Sequence, residues 1–392
     1  MKTLQKLICI SLFALLGNCK TAEIVPVSEC TLPIETDNTS FPQNAALLNL
    51  LKIYTQKGLP GLSVLVKTSN GLWIGASGKA GIEENQDMQP CHIHYLASIA
   101  KTYTAVVIMK LVETQKIDLD SPISQYLDTN IYKKIGNGDK ATVRQLLNHT
   151  SGIRDYVSEI NYNTDILNNP MAKYSTDKYL GYIYTKEPYF EPGTDYTYSN
   201  TNFLLLALIA EKVTGKPLES LYRDIVFEPL GLQQTYYHTL NQGNLVNSYF
   251  DRFGDGKLEN ISSIMKHLLP TYSGDDGIVA TPYDMYLFLD ALVTNKLVSE
   301  SSLMQMTAWV HTRKDPDRPE YGLGLTYMKS DYGDGFGHGG TAGGASAKMY
   351  YFPDKQTYLI VCMNQGTFFY SPIQDVYDEF WLELQKIMLA NQ

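Results

Sequence analysis

A serine and a lysine three residues apart begin a strongly apolar segment of this 392-residue chain. Ser98 and Lys101 are followed by an uninterrupted apolar run over residues 105–109. In a helix, side chains at positions i and i+3 lie on one face, one turn apart. The helix start favours developing negative charge, and burial lets a lysine lose its proton more easily. The pair could therefore act as nucleophile and base. Alone the pattern is weak, because a helix-capping serine before a solvated lysine would look the same.

A second polar cluster, Tyr198-Ser199-Asn200, follows Pro192-Gly193 and precedes an apolar stretch over residues 203–213. That stretch has the composition of a buried helix, and Gly215 is a typical helix end. A tyrosine near a lysine ammonium can lose its proton and act as a base, and an asparagine offers a donor and an acceptor to a substrate amide. The alternative is a packed tyrosine beside an asparagine that caps the helix.

The third cluster is the glycine-rich sequence His338-Gly339-Gly340-Thr341, and residues 337–344 include five glycines. Missing side chains allow another segment of backbone to approach closely. We therefore expect an edge strand next to the nucleophile, with the backbone N–H groups of Ser98 and Thr341 forming an oxyanion hole. The alternative is a flexible glycine loop.

These three clusters, in this order, resemble the boxes of the serine β-lactamase and penicillin-binding-protein superfamily. The Tyr-Ser-Asn form of the second box is similar to that of the class C β-lactamase and D-alanyl-D-alanine carboxypeptidase branch. Further segments resemble signature segments of that branch, namely residues 118–122, 146–152 (Leu-Leu-Asn-His-Thr-Ser-Gly), 190–193, 227–231 and 321–324. The resemblance extends over roughly residues 42 to 390, the size of one large domain.

The resemblance implies catalysis through a covalent acyl-enzyme. Ser98 would be the acylated nucleophile, and Lys101 would help to remove its proton. Tyr198 would be the general base and then the acid that protonates the leaving group. No cofactor and no metal ion are expected, since His92 and His94 alternate along the chain without a convincing third ligand.

The resemblance also implies four substrate-binding positions. Asn200 would orient the substrate amide. His338 stands where many relatives have lysine, and it would support Tyr198 and the substrate carboxylate by hydrogen bonding. Gly340 and Thr341 would line the acyl group.

One position departs from the family pattern. Gly339 stands where classical β-lactamases and carboxypeptidases usually have Thr or Ser, whose hydroxyl helps to bind the substrate carboxylate. Its absence puts carboxylate recognition in doubt. Thr341 and Arg318 are the side chains that could compensate.

The functions considered differ in the fate of the acyl-enzyme. We expect a serine hydrolase acting on peptide, amide or ester bonds, most similar to a D-alanyl-D-alanine carboxypeptidase-like peptidase or an esterase. A class C-like β-lactamase is the alternative within the enzymes, and a penicillin-binding sensor that acylates without turnover is the alternative of another class. An inactive relative is disfavoured, because all three boxes keep the necessary polar groups.

Charge and composition restrict the partners. The formal net charge is −9 and no cluster of lysines and arginines occurs, so nucleic acid is not an expected partner. With 44% apolar and 19% charged residues, the chain can bury a sizeable core. The expected partner is a small-molecule or peptide substrate, with cell-wall peptide as one candidate.

Periodicity predicts an α+β fold whose antiparallel sheet is built from both chain ends and flanked by helices. The predicted elements are a helix over 44–57, strands over 62–67 and 72–76 joined at Asn70-Gly71, strands over 347–352 and 358–363, and a helix over 373–389. A mostly helical insert occupies about residues 118–290, with a cleft against the sheet. This is the β-lactamase/transpeptidase-like arrangement, assigned to residues 42–392.

The first residues predict export. Lys2 and Lys6 precede an apolar run over 7–16 that is too short to span a bilayer, so residues 1–18 read as a signal peptide. Leu16-Gly17-Asn18-Cys19 resembles a lipoprotein cleavage box with an unusual asparagine. We expect an exported protein, periplasmic or anchored through a lipid on Cys19, otherwise secreted, with residues 19–41 as a tether.

Export also permits disulfide formation. Cys30 and Cys91 are the candidate pair, although spacing alone cannot assign connectivity. Cys362 lies in an apolar strand and is expected to be a buried free thiol.

Overall fold

The computed structural model describes residues 26–33, 37–239, 242–313, 315, 319–367 and 370–390. Residues 1–18, Cys19 and Arg318 lie outside this part of the chain. A disulfide joins Cys30 to Cys91, and Cys362 is a buried free thiol, in agreement with the sequence prediction. Among the described helices, none combines the length and the apolarity that crossing a membrane requires.

The described strands form one large sheet and two small ones. In chain order they are β1 (Gly61–Thr68), β2 (Gly71–Gly81), β3 (Gln86–Asp87), β4 (His94–Tyr95), β5 (Thr235–Tyr237), β6 (Tyr249–Phe250), β7 (Glu259–Asn260), β8 (Ile278–Ala280), β9 (Val310–His311), β10 (Pro319–Tyr321), β11 (Thr326–Met328), β12 (Gly335–Ala342), β13 (Ala345–Phe352) and β14 (Thr357–Met363). The large sheet is antiparallel in the order β3-β2-β1-β14-β13-β12-β11-β10-β9, so both chain ends contribute to it.

Helices cover this sheet and fill the middle of the chain. They are α1 (Asn44–Gln56), α2 (Ala100–Glu113), α3 (Thr129–Tyr132), α4 (Val143–Leu147), α5 (Ile160–Asn168), α6 (Thr176–Gly181), α7 (Asn200–Thr214), α8 (Leu218–Tyr222), α9 (Glu228–Leu230), α10 (Ser262–Leu268), α11 (Pro282–Val293), α12 (Glu300–Met306) and α13 (Pro372–Leu389). Short 3₁₀ turns include Ala97–Ile99, directly before α2. The left-handed Gly215 ends α7, as its position in the sequence predicts.

The core lies on both faces of the large sheet. In β1, Val64 packs against α1 and α13 on one face, and Leu65 packs with the α2 cluster on the other. The side chains of successive strand residues point to opposite faces of the sheet. A strand in a sheet that is covered on both faces therefore needs apolar residues at every position. This explains why β14 is buried along its whole length and reads as a continuous apolar run.

The helical insert contains a small sheet that was not expected. β5 and β8 from the insert pair with β4 in the order β4-β8-β5. Each of these strands has two or three residues, which is too short for a recognisable alternating pattern. The pairing joins the insert to the strand that leads into the turn carrying Ser98.

Two local expectations need correction. The first hairpin turns at Ser69-Asn70, because Thr68 pairs with Gly71, and not at the expected Asn70-Gly71. β12 is not an edge strand throughout, because β11 pairs with its first three residues, up to Gly337. Within the described residues, the segment from His338 onward has a strand only on its β13 side.

Candidate active site

Ser98 lies in the turn Ala97–Ile99, two residues before α2 begins at Ala100, rather than inside the helix. Ala97 has a left-handed backbone with φ 49°, which residues other than glycine rarely adopt. Ala97 and Ile99, on either side of Ser98, are buried, whereas Ser98 itself keeps part of its surface exposed. A strained backbone of this kind is held by the surrounding packing, and here it presents the serine at the surface of the cleft.

Lys101 is fully buried and has two acceptors. Its Nζ donates to Ser98 Oγ at 3.0 Å and to the backbone carbonyl of Asp275 at 2.8 Å. Burial lowers the pKa of Lys101, and the nearby carboxylates of Asp275, Asp276 and Asp155 oppose this shift. The lysine is therefore aimed at the nucleophile in surroundings that ease loss of its proton.

Tyr198 completes the group of three predicted catalytic residues. Lys101 Nζ lies 5.2 Å from the centroid of the Tyr198 ring. The phenol oxygen is buried, and it has no hydrogen-bond partner in normal geometry among the residues that the structure describes. Burial raises the pKa of Tyr198, and the adjacent Ser98 hydroxyl opposes the rise. The phenol is thus neutral at rest and close to both groups with which it could exchange a proton.

The glycine-rich strand β12 lies directly against the nucleophile turn. A β-carbon on Gly340 would lie only 3.1 Å from the backbone nitrogen of Ser98. The next residue, Thr341, lines the cavity in front of Ser98. The sequence analysis expected the glycines to allow such a close contact between two backbone segments. The contact places the backbone of β12 where an oxyanion hole is needed.

His338 has a different set of partners from the expected one. Nε2 lies 2.7 Å from the hydroxyl of Tyr321, and Nδ1 contacts the backbone carbonyl of Gly339. A carbonyl can only accept, so Nδ1 carries the proton and Nε2 accepts from Tyr321. Burial lowers the pKa of His338 to about 3. The ring is neutral, both nitrogens are engaged, and the hydrogen bond expected with Tyr198 is replaced by one with Tyr321.

Asn200 is the first residue of α7, and Asp155 holds it. Its backbone N–H donates to Asp155 Oδ1 at 2.9 Å, and its side-chain amide donates to the two carboxylate oxygens at 3.2 and 3.3 Å. Asn200 lies outside the residues that line the cavity at Ser98. Its role in orienting a substrate amide stays a prediction.

The cavity in front of Ser98 has a volume of about 530 Å³. This is a usual size for a small-molecule site. Among the predicted site residues, its lining includes Ser98, Tyr198, His338, Gly340 and Thr341. The opposite wall, which was not expected, comes from β13 and α13 through Lys348, Tyr350, Gln374, Tyr377 and Asp378.

Several buried polar groups around the catalytic residues were missed. Asp275 supplies the second acceptor of Lys101 although it lies 174 positions away in the chain. Tyr156 donates to the Asp275 carboxylate at 2.6 Å. His149 contacts the Tyr198 ring with centroids 4.3 Å apart. The signature segment 146–152 contained His149, but the sequence carried no signal for its role.

Known proteins with similar sequences include hydrolases of amide bonds. The chain is 25% identical over 308 residues to a penicillin-binding protein of Bacillus subtilis (strain 168), covering 75% of this chain and 65% of that protein. It is 26% identical over 317 residues to a D-aminopeptidase of Brucella anthropi, covering 79% of this chain and 56% of that protein. The matches thus span about 56 to 65% of the length of these relatives.

Solved structures agree with the fold. A D-stereospecific amidohydrolase from Streptomyces sp. superposes with a TM-score of 0.74 at 26% identity, covering 86% of this chain and 98% of that chain. The model of the family described as Beta-lactamase matches residues 43–376. With most of its length matched, with Ser98 and Tyr198 lining one cavity and with Lys101 in contact with Ser98, this chain belongs to the Beta-lactamase family.

Proposed function

We propose that this chain is a serine hydrolase that cleaves amide, peptide or ester bonds through an acyl-enzyme on Ser98. The observation that carries the proposal is the 3.0 Å contact between the Nζ of the buried Lys101 and the Oγ of Ser98, which lines a substrate-sized cavity. A lysine with a lowered pKa beside a serine is one of the recognised ways to activate that nucleophile.

The chemistry proceeds in two halves. Ser98 Oγ attacks the substrate carbonyl carbon, and its proton passes to the unprotonated amine of Lys101. The transfer is direct, or it runs through the Tyr198 phenol, which gives its own proton to Lys101 as it takes up that of Ser98. The C–N or C–O bond then breaks, and the departing amine or alcohol takes up that proton. Water hydrolyses the Ser98 ester, which releases the acid and restores the serine hydroxyl.

The relatives support substrates that contain D-amino acids. The names of two relatives, a D-aminopeptidase and a D-stereospecific amidohydrolase, both specify the D configuration. D-Alanyl peptides of the cell wall, the substrates of D-alanyl-D-alanine carboxypeptidases, belong to the same chemical class. A penicillin-binding sensor is another outcome, which the test below separates, and a β-lactamase is a further one, which rates with a cephalosporin separate.

The test combines active-site labelling with a substrate panel. Wild-type protein should react with a fluorophosphonate, gaining one adduct by intact-protein mass spectrometry, and should turn over a D-amino acid amide, a D-Ala-D-Ala peptide or an aryl ester. Ser98→Ala should abolish both without loss of fold. Ser69→Ala, at an exposed serine in the first hairpin, is the matched control. Unchanged labelling of Ser98→Ala would refute the assignment, and a stoichiometric burst without turnover would indicate a sensor.

The same proposal includes export with a lipid anchor on Cys19. Its support is the short apolar run before Leu16-Gly17-Asn18-Cys19 and the disulfide between Cys30 and Cys91, which suits an oxidising compartment. Metabolic labelling with a palmitate analogue should tag the wild type and the Cys362→Ser control but not Cys19→Ser. A secreted wild-type product that begins at another residue would contradict the anchor.

A further inference from the structure

His149 holds the backbone on both sides of Tyr198. Its carbonyl oxygen accepts the N–H of Thr197 at 3.1 Å, and its side-chain Nδ1 accepts the N–H of Ser199 at 3.2 Å. Its backbone is left-handed, with φ 59°. One residue thus holds the N–H groups of the residues directly before and after the catalytic tyrosine.

The imidazole of His149 is locked in one protonation state. Nδ1 also lies 3.1 Å from the side-chain amide of Asn202. The Asn202 carbonyl oxygen is occupied by the Ser151 hydroxyl at 2.8 Å, so the amide nitrogen faces His149 and donates. With two N–H donors directed at Nδ1, the proton lies on Nε2. Burial lowers the pKa of His149 well below its usual value, and the positive charge of Lys101 adds to this.

Tyr198 is held by these anchors and by packing. Its hydroxyl is buried beside that of Ser98, and among the described residues it makes no hydrogen bond of normal geometry. Its ring packs against His149 at 4.3 Å between centroids and against the edge of Tyr321 at 5.9 Å. The hydrogen bonds from Thr197 and Ser199 hold the backbone from which the Tyr198 side chain extends, so a shift of that backbone would move the phenol oxygen relative to Ser98.

We infer that His149 is a positioning residue that aims the Tyr198 phenol at Ser98 through the backbone of Thr197 and Ser199. The inference rests on the proposed function, since it concerns the proton transfer in acylation. Misplacement of a catalytic group by an ångström costs up to about 100-fold in rate. Loss of the anchors should therefore lower the chemical step and leave substrate affinity nearly unchanged.

Two substitutions separate the anchor from the ring. His149→Phe keeps an aromatic ring but removes the Nδ1 acceptor. His149→Asn removes the ring but keeps an acceptor oxygen near the Nδ1 position, and asparagine tolerates the left-handed backbone. We expect His149→Phe to lower kcat and the rate of fluorophosphonate labelling by about 10- to 100-fold. KM should stay within about threefold, and His149→Asn should recover most of the rate, because the acceptor drives the effect.

His238 provides a matched control. It is also a left-handed histidine, with φ 58°, and it stacks on Tyr237 at 3.6 Å between ring centroids. His238→Phe should lose stability in thermal unfolding but keep its labelling rate. If it loses rate as strongly as His149→Phe at the same fraction folded, general destabilisation explains the effect and the inference is overturned.

A double-mutant cycle gives the decisive comparison. In a Tyr198→Phe background, His149→Phe should cause little further loss of labelling rate, because the group that it positions is already absent. An equal further loss would overturn the inference, as would a His149→Phe single variant with the wild-type rate. Absence of labelling in the wild type would instead refute the proposed hydrolase, so the two failures are distinguishable.

Discussion

A β-carbon on Gly340 would lie 2.1 Å from the carbonyl oxygen of Leu96, closer than any non-bonded contact allows. Leu96 immediately precedes the turn that carries Ser98, and it sits in buried backbone that cannot yield like a flexible side chain. The distance between β12 and the nucleophile turn is therefore set by the absence of one side chain. Any residue larger than glycine must push strand and turn apart.

The first prediction compares two adjacent glycines. Gly340→Ala should lower the rate of acylation by at least about 100-fold, because the oxyanion donors would move from their positions. Gly339→Ala is the control: its β-carbon would lie 3.4 Å from the Tyr350 hydroxyl, an ordinary contact. We expect that variant to stay within about threefold of the wild type. The measurement is fluorophosphonate labelling with thermal unfolding alongside, and equal rates for the two variants would show that the contact does not matter.

The second prediction concerns proton transfer. Lys101→Ala and Tyr198→Phe should each lower kcat/KM on the best substrate by at least about 100-fold, the usual range for acid–base groups. The double variant should be little worse than either single variant, because the two residues act as a unit. Lys110→Ala, on the same helix and paired with Glu113, is the control. If either catalytic variant kept the full rate, the mechanism would require another base.

The third prediction concerns acid stability. His338 is neutral when folded, since its pKa is lowered to about 3 from 6.5. The unfolded chain binds the extra proton first, so the stability that this group contributes is present above pH 6.5 and is lost as the pH falls towards 3. Between pH 6.5 and 5 the loss is about 1–2 kcal/mol for one such group.

Urea unfolding at several pH values tests this contribution. His338→Gln should show a smaller decrease in unfolding free energy from neutral pH to pH 5 than the wild type, by about 1–2 kcal/mol. His311→Gln, at an exposed histidine on β9, should follow the wild type. Parallel curves for the wild type and His338→Gln would mean that the ring is already protonated in the folded protein.

The catalytic residues could be predicted because three short local clusters, each weak alone, occur in an order that resembles a known family. Ser98 and Lys101 are neighbours through helical spacing alone, and Tyr198 stands at a turn before a recognisable helix. The main strands could be predicted from local signals, since β1 and β14 are long apolar runs. Short strands such as β9 and β11 have two or three residues and carry no usable pattern.

The remaining parts of the site depend on packing between distant segments. The Asp275 carbonyl contacts Lys101 across 174 positions, and Asp155 contacts Asn200 across 45. The hydrogen bond of His338 with Tyr321, in place of the expected one with Tyr198, also depends on packing, because Tyr321 lies on the separate strand β10. Nothing in the spacing of these residues distinguishes them from other buried polar side chains, so a single sequence could not identify them.

The last prediction concerns β-lactams, and it follows from the chemistry of β12. Anionic β-lactams need a cation and a hydroxyl for their carboxylate, whereas His338 is neutral with both nitrogens engaged, and Gly339 has no side chain. One lost hydrogen bond to a charged group is worth roughly 1.5–3 kcal/mol, which corresponds to about 10- to 150-fold in affinity or rate. We therefore expect slow hydrolysis of cephalosporins relative to aryl esters and D-alanyl peptides.

Gly339→Thr should raise cephalosporin hydrolysis, by up to about tenfold, because it restores one hydroxyl beside the cavity. The β-carbon has room, since its nearest neighbour would be the Tyr350 hydroxyl at 3.4 Å. Gly339→Val, of similar size without a hydroxyl, is the matched control and should bring no gain. Initial rates with a chromogenic cephalosporin and an aryl ester measure both effects. Wild-type cephalosporin hydrolysis faster than that of esters and D-alanyl peptides would identify a true β-lactamase, in which a group other than His338 and Gly339 binds the carboxylate.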